Sequence, residues 1–404
     1  MSVTSVPGFV ASGIAAGIKP PGDADIAVVA TEDRQPVTAA GIFTANKFTA
    51  APVVVTQRHL DATAGQAAAV VLTSGNANAG TGAQGLADAA SMCATAAETL
   101  DIKTEQTLVC STGLIGYEMP MDVVTPGVIA AAKALNSEGG KDAAAAMMTT
   151  DTVAKHCEVH AVDQNGISFT VGGIAKGAAM LEPNMATMLA VLTTDAELSP
   201  AEAKSMLGDA AEPAFNSLTI DGAQSTNDTV LLLANGKAGR VAPEAIQKAL
   251  TEVSTELAMK MADDAEGSTK TMFVDVVGAA THDEAVAVAR GIANSQLIKC
   301  SWYGQDPYWG RVASEVGVRA ESFDETTLSI SYGDQTVYKN GKPASSDPQG
   351  SQPGRPMFDA AKLKNTMEQR HITLTVNIGQ GEASTRVVTT DLTHAYIDEN
   401  RGTS

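Results

Sequence analysis

Apolar positions recur along the chain with two different spacings. Residues 68–73 (AAVVLT) form an unbroken apolar run and predict a buried strand. Over 83–100, Leu86, Ala90, Cys93, Ala97 and Leu100 follow a 3.6-residue period and predict a helix. Residues 107–110 (TLVC), 157–162 and 271–277 are strand-like, and Ile372, Leu374, Val376 and Ile378 alternate with other residues as a half-buried strand does. Ile246, Leu250, Val253, Leu257 and Met261 mark a long amphipathic helix over 243–261. Ser199-Pro200-Ala201-Glu202 is a helix start: the serine can cap, proline fits the first helical position, and the glutamate can return to the cap's N–H. The run at 188–192 (MLAVL) is apolar throughout, so period alone does not separate a strand from a buried helix. Residues 345–356, rich in Ser, Pro, Gly and Asp, read as an exposed loop.

This mixture predicts an α/β or α+β layered fold. A chain of 404 residues exceeds the usual size of one domain, and a smaller C-terminal portion is expected from about residue 280, giving 1–280 and 281–404. No repeat of 20–50 residues is present. Twenty-seven basic against 46 acidic residues leave a net charge of −19, which argues against partners such as nucleic acid and against a polybasic membrane anchor. Hydrophobic residues make up 44% of the chain, enough for a large core; with aromatics at 4% that core is built from Ala, Val, Ile and Leu. Cys93, Cys110, Cys157 and Cys300 are scattered, without C-x-x-C or zinc spacing. The apolar stretch at 8–18 precedes Lys19, whereas a signal peptide carries its positive charge first. No run of 18 apolar residues occurs. The expectation is a reduced, soluble, cytoplasmic protein.

Gly80-Thr81-Gly82-Ala83-Gln84-Gly85 matches G-x-G-x-x-G and opens a helix, as a dinucleotide site would. Six residues separate it from the preceding strand, however, and the next strand ends Cys110-Ser111-Thr112-Gly113, with no acid to hold a ribose. A Gly/Asn loop capping the helix is the better reading. His156 and His160 lie four apart, but on a strand-like stretch and with no third ligand nearby, so no metal is expected. G-x-S-x-G and P-loop lysine motifs do not occur.

Hydroxyls and glycines concentrate in a few short segments: Cys110-Ser111-Thr112-Gly113, Met148-Thr149-Thr150-Asp151-Thr152, Lys176-Gly177 and Asn184-Met185-Ala186-Thr187-Met188. A threonine hydroxyl becomes a competent nucleophile beside a base, and its own α-amine, with a pKa of about 8, can be that base if the preceding peptide bond is cut. Taken alone, Thr187 at the head of an apolar run reads as an ordinary strand residue.

The stretch from Gly173-Ile174-Ala175-Lys176-Gly177 through Glu182-Pro183-Asn184-Met185-Ala186-Thr187-Met188-Leu189 resembles the self-cleavage segment of the ornithine acetyltransferase family, the glutamate N-acetyltransferases of arginine biosynthesis. Phe43-Thr44-Ala45-Asn46, Ser74-Gly75-Asn76-Ala77-Asn78, Cys110-Ser111-Thr112-Gly113-Leu114-Ile115-Gly116 and Thr149-Thr150-Asp151-Thr152 stand in family order. So do Ser225-Thr226-Asn227-Asp228-Thr229, Glu266-Gly267-Ser268-Thr269-Lys270 and Asp306-Pro307-Tyr308-Trp309-Gly310-Arg311. The likeness spans essentially the whole chain. Tyr308 replaces a frequent asparagine, Ala223-Gln224 replace Asp-Thr, and the chain ends one residue sooner after Asn400 than is usual.

The resemblance implies a four-layer αββα sandwich, similar to N-terminal-nucleophile hydrolases but differently connected, plus a smaller C-terminal domain. It implies cleavage between Ala186 and Thr187 into an alpha fragment, 1–186, and a beta fragment, 187–404, paired as a heterotetramer, α2β2. Thr187 corresponds to the nucleophile, and Thr112 and Gly113 to an oxyanion-hole pair. Thr150, Lys176, Thr187, Glu266 and Asn400 correspond to substrate-binding positions, with Ser404 as the last, Thr403 being the rival. The implied reaction moves acetyl from N-acetylornithine to glutamate through acetyl-Thr187, without cofactor or metal. Acetyl-CoA as an additional donor or as the donor instead, a self-cleaving aminopeptidase or amidase, and a non-catalytic amino-acid-binding protein are the alternatives.

Overall fold

The computed structural model describes residues 2–180, 182, 188–346 and 357–401. Ala186, Thr187, Thr403 and Ser404, with most of the loop expected at 345–356, lie outside the described residues. Two compact units are present, Met1–Asn216 with Ala223–Asp264, and Ser217–Gly222 with Ala265–Gly402.

The first unit runs β1 (Phe9–Ile14), β2 (Ile26–Thr31), β3 (Val37–Phe43), α1 (Ala51–Ala62), β4 (Gln66–Ala67), β5 (Ala69–Asn76), α2 (Gly82–Leu100), β6 (Thr107–Leu114), α3 (Met121–Lys133) and α4 (Gly140–Ala146). It continues with β7 (Lys155–Val162), β8 (Ser168–Lys176), β9 (Leu189–Ala196), α5 (Pro200–Ala211), β10 (Thr229–Gly239) and α6 (Pro243–Asp263). Among the described residues these strands form two sheets, ordered β1-β2-β5-β6 and β4-β3-β10-β9-β8-β7. Side chains on a strand alternate between faces, and both faces are used here. Val70, Leu72, Leu108 and Cys110 of the first sheet share one core with Ile174, Leu189, Val191, Leu231 and Leu233 of the second. Their neighbours Val71 and Val109 turn the other way, onto Val55 of α1, Met92 and Cys93 of α2 and Val128 of α3. On the far side, α6 carries Val253 and Leu257 against β8, where a side chain at Gly173 would meet both. The layers are therefore α, β, β, α.

Double-sided burial explains the run at 188–192. Residues 189–192 belong to β9, every residue of which is buried, so no polar face marks a period. The Ser199–Glu202 start forms as expected: Ser199 Oγ accepts the Glu202 N–H at 3.3 Å, and Glu202 Oε2 accepts the Ser199 N–H at 2.9 Å. Helix α2 is turned slightly from its expected face. Cys93, Ala97 and Leu100 are buried, but Leu86 and Ala90 are half-buried, and Asp88 takes an inward place while accepting from Gln84 Nε2 at 2.8 Å.

The second unit contains β11 (Thr271–Ala279), α7 (His282–Asn294), α8 (Gln296–Tyr303), α9 (Trp309–Arg319), β12 (Ser329–Tyr332), β13 (Gln335–Lys339) and β14 (Lys342–Pro343). It ends with α10 (Ala360–Glu368), β15 (His371–Asn377), β16 (Ala383–Thr390) and α11 (His394–Glu399). Its sheet is ordered β14-β13-β12-β15-β11-β16. Strand β15 has the expected alternation, with Ile372, Leu374 and Val376 buried. The expected boundary near 280 is corrected to Asp264/Ala265. Strand β11 lies before residue 280 but pairs with β15 in parallel and with β16, so it belongs inside the second unit. No helix among the described residues is long and apolar enough to cross a membrane.

Candidate active site

The parallel pair β5–β6 loses its regular register at its C-terminal end, where Asn76 faces both Thr112 and Leu114. Two opposed glycines make this possible. Gly75 has φ +104° and Gly113 φ +133°, and a Cβ on Gly113 would overlap the carbonyl carbon of Gly75. At this step the chain leaves the interior: Thr112 is 5% exposed, whereas Gly113 is exposed. Side chains of the same strands fix the geometry around it. Thr73 Oγ1 donates to Ser111 Oγ at 2.7 Å, Ser74 Oγ to the Ala146 carbonyl at 2.6 Å, and Asn76 Nδ2 to the Glu118 carbonyl at 3.0 Å.

The dipeptide before β10 joins this strand end to the head of β9. Asn227 Nδ2 donates to the carbonyls of Ala77 at 2.6 Å and Ser111 at 2.9 Å. Asp228 Oδ1 accepts the N–H of Met188 at 2.9 Å, and its carbonyl accepts the N–H of Thr44 at 3.0 Å. Thr44 Oγ1 in turn donates to the Ser225 carbonyl at 2.7 Å. The Asp228 side chain is fully buried. That burial pushes its carboxyl well above the usual carboxylate range, against the opposing pull of the Met188 N–H, the Ser225 hydroxyl and the Lys176 ammonium.

A second buried carboxylate organises the end of β8. Asp151 Oδ1 accepts Lys155 Nζ at 2.6 Å and the Gly177 N–H at 2.8 Å; Oδ2 accepts the Thr149 N–H at 3.1 Å and lies 3.9 Å from Lys176 Nζ. Burial opposes ionisation of Asp151, but the ammonium groups of Lys176 and Lys155, with these hydrogen bonds, override it and hold the carboxyl at about 2. Lys155 also pairs with Asp264 at 2.5 Å. Lys176 is buried, whereas Thr150, beside Asp151, is exposed. Next to this turn, Lys19 Nζ donates to the Met148 carbonyl at 2.9 Å. The backbone of Lys19 is held by Asp25, whose carboxylate accepts four successive N–H groups from Ala16 to Lys19.

In the second unit, Asn400 Nδ2 donates to Glu266 Oε2 at 2.8 Å. The 266–270 loop is fixed by Asp391, which accepts the N–H groups of Thr269 and Lys270 at 2.9 and 3.0 Å, and by Thr393 Oγ1, which donates to the Gly267 carbonyl at 2.6 Å.

The sequence-derived residues thus fall into three groups: Thr112 with Gly113, Lys176 beside the Thr150 turn, and Glu266 with Asn400. Asp151, Asn227 and Asp228 stood inside quoted motifs without an assigned role; nothing in the sequence reports burial of a carboxylate. At 80–85, Thr81 Oγ1 donates to Asn78 Oδ1 at 2.8 Å and Asn78 Nδ2 to the Gly85 carbonyl at 2.9 Å, a knot that closes the start of α2. His156 and His160 lie on β7, and His160 Nδ1 is 3.0 Å from Thr170 Oγ1. The described residues hold no group of three or more His, Cys, Asp or Glu able to bind a metal ion.

Fold and site together define an αββα-sandwich protein with Thr112, Gly113 and Lys176 towards the C-terminal ends of its inner strands β6 and β8. The chain belongs to the ArgJ family, which it matches over residues 10–402. It is 43% identical to the arginine biosynthesis bifunctional protein ArgJ of Thermobifida fusca over 401 residues, 99% of either chain. The protein of the same description from Mycobacterium tuberculosis strain H37Rv is 43% identical over 407 residues, covering 98% of this chain and 95% of that one. Among solved structures, ornithine acetyltransferase complexed with ornithine from Mycobacterium tuberculosis is 42% identical, with a TM-score of 0.42, over 45% of this chain and 94% of that one.

Proposed function

We propose that this chain is a self-cleaving glutamate N-acetyltransferase, an ornithine acetyltransferase of arginine biosynthesis. The precursor is cut between Ala186 and Thr187. The Thr187 hydroxyl then attacks the acetyl carbonyl of N-acetylornithine, with its freed α-amine as base. The oxyanion of the tetrahedral intermediate is stabilised by the Thr112 hydroxyl and the Gly113 N–H. Ornithine leaves, and the amine of glutamate takes the acetyl group from acetyl-Thr187. Thr150, Lys176, Glu266, Asn400 and Ser404 bind substrate, the charges of both signs suiting amino acids that share an α-carboxylate. The fragments stay paired as α2β2 in the cytoplasm, and no cofactor takes part.

One observation carries this reading beyond family membership. The dipeptide Asn227-Asp228 grips the carbonyl of Ser111, next to Thr112, and the N–H of Met188, next to Thr187. Two segments far apart in sequence are thereby held by adjacent side chains, as an oxyanion hole and a nucleophile must be.

The test is product analysis with N-acetylornithine, with and without glutamate. Ornithine release in step with N-acetylglutamate formation, and dependent on glutamate, is expected. Acetate release without glutamate would make the chain a hydrolase, and no turnover would make it a binding protein. N-acetylglutamate formed from acetyl-CoA and glutamate would add the second donor.

A further inference from the structure

Lys19 has no role in the chemistry above, yet it is held far more firmly than an ordinary surface lysine. Asp25, fully buried, accepts the N–H groups of Ala16 at 2.7 Å, Gly17 at 2.9 Å, Ile18 at 2.7 Å and Lys19 at 3.1 Å. The Asp25 carbonyl accepts the N–H of Ser74 at 2.9 Å, which ties this turn to β5 one residue before Gly75. The Lys19 side chain then crosses Gly75, where a Cβ would stand 3.0 Å from Lys19 Cγ. Gly75 faces Gly113. At its far end Lys19 Nζ donates to the Met148 carbonyl at 2.9 Å, two residues before Thr150. The stem thus lies against the strand end that carries Thr112 and Gly113, and the head lies at the Thr150 turn, all within the first unit.

An ammonium has three N–H donors. The Met148 carbonyl takes one, and it is the only acceptor of Lys19 Nζ among the described residues. The nearby carboxylates are engaged elsewhere, Asp25 by four backbone N–H groups and Asp151 by Lys155, Gly177 and Thr149. Half-burial weakens the charged form of Lys19, and the charge of Lys176 adds to this, against the opposing pull of Asp23, Asp25 and Asp151. An anion at the two remaining N–H groups would relieve both effects.

Resting on the function proposed above, we propose that Lys19 is a further substrate-binding residue, whose two remaining N–H groups hold the α-carboxylate common to N-acetylornithine and glutamate. The charges of the two substrates select this group. Their side chains carry opposite signs, so a fixed ammonium beside either side chain would favour one substrate and repel the other. The α-carboxylate is the anion that both bring. Its carbon is two bonds from the nitrogen that loses or gains acetyl, so its partner belongs close to the oxyanion donors, where Lys19 crosses Gly75 opposite Gly113.

The measurement is steady-state acetyl transfer by the full chain, with KM and kcat separated for each substrate. Lys19→Met keeps the stem over Gly75 and removes the ammonium. It is expected to fold, by circular dichroism, and to raise KM for both N-acetylornithine and glutamate about 10- to 100-fold, the usual worth of a hydrogen bond to a charged group. Lys19→Arg should recover most of the loss. If the methionine variant does not fold, Lys19→Gln, which keeps a donor for the Met148 carbonyl, gives the same comparison. Inhibition by ornithine and by ornithinamide, its uncharged carboxamide, separates binding from mere support of the fold. Wild type should prefer ornithine, and the variant should lose that preference. An unchanged KM in folded variant, a rise for one substrate alone, or an undiminished preference for ornithine over ornithinamide would overturn the role of Lys19 and leave the acetyltransferase reading intact. A wild-type chain that forms no N-acetylglutamate would instead overturn the acetyltransferase reading, and this proposal with it.

Discussion

Asn227 donates a side-chain N–H to the carbonyl of Ser111 at 2.9 Å. The residue before Thr112 is thus fixed by the residue before Asp228. The bond fixes the backbone on which the Thr112 hydroxyl is carried, and a fixed donor requires little reorganisation when charge forms near it.

Thr112→Val keeps the side-chain volume and removes the hydroxyl. Loss of one oxyanion donor costs about 100- to 1000-fold in rate. Acetyl transfer should fall by that order while the thermal melt stays near wild type. Unchanged turnover in folded protein would reject Thr112 as a donor.

Thr187 is assigned two tasks, cleavage and acetyl acceptance, and both need an oxygen. Thr187→Ala should remain one chain and be inactive. Thr187→Ser retains the hydroxyl and, once cut, the amine; it lacks the methyl that restricts the rotamer, so slower cleavage and partial transfer are expected. Mass spectrometry beside a glutamate-dependent ornithine-release assay separates these outcomes. Activity in uncut Thr187→Ala would place the nucleophile elsewhere.

Asp151 links stability to pH. Its carboxyl is lowered from 3.8 to about 2, so its contribution is fully present above 3.8 and is lost as pH falls through about 2. The shift corresponds to about 2 kcal/mol. Removing one member of a buried ion pair costs more, roughly 3–5 kcal/mol, because Lys155 would keep its buried charge with less compensation. Asp151→Asn should therefore melt well below wild type at pH 6, and the gap should narrow towards pH 2. A gap independent of pH would show that the carboxylate's ionisation contributes nothing.

Asn400 meets Glu266 at 2.8 Å in the second unit. Asn400→Ala should raise KM for N-acetylornithine while the precursor still cleaves normally. Loss of cleavage in this variant would contradict a substrate-binding role.

Many strands and helices were legible because they carry local signals, whereas the four-layer αββα order came from the family resemblance and not from those signals. The period of Ile246, Leu250, Val253, Leu257 and Met261 marks α6, and the Ser199–Glu202 box marks the start of α5. The unit boundary was not legible, because β11 is committed to its sheet by β15, about a hundred residues later. Contacts of that range leave no trace in a local pattern. The same holds for the site. The glycines at 75 and 113 stood in recognisable motifs, yet their need for glycine comes from facing each other across two strands. The roles of Asp151 and Asp228 differ by environment alone: one carboxyl is ringed by ammonium groups and held ionised, the other is buried and driven towards its neutral form. A sequence records two aspartates and not that difference.

The central claim is an acetyl group carried on Thr187. It is tested most directly by incubating the purified protein with N-acetylornithine in the absence of glutamate and analysing the 187–404 fragment by mass spectrometry. The account predicts a fragment beginning Thr-Met-Leu that carries one acetyl group on Thr187, and loses it to N-acetylglutamate when glutamate is added. An unmodified fragment from protein that still transfers acetyl, or an acetyl group on another residue, would contradict it.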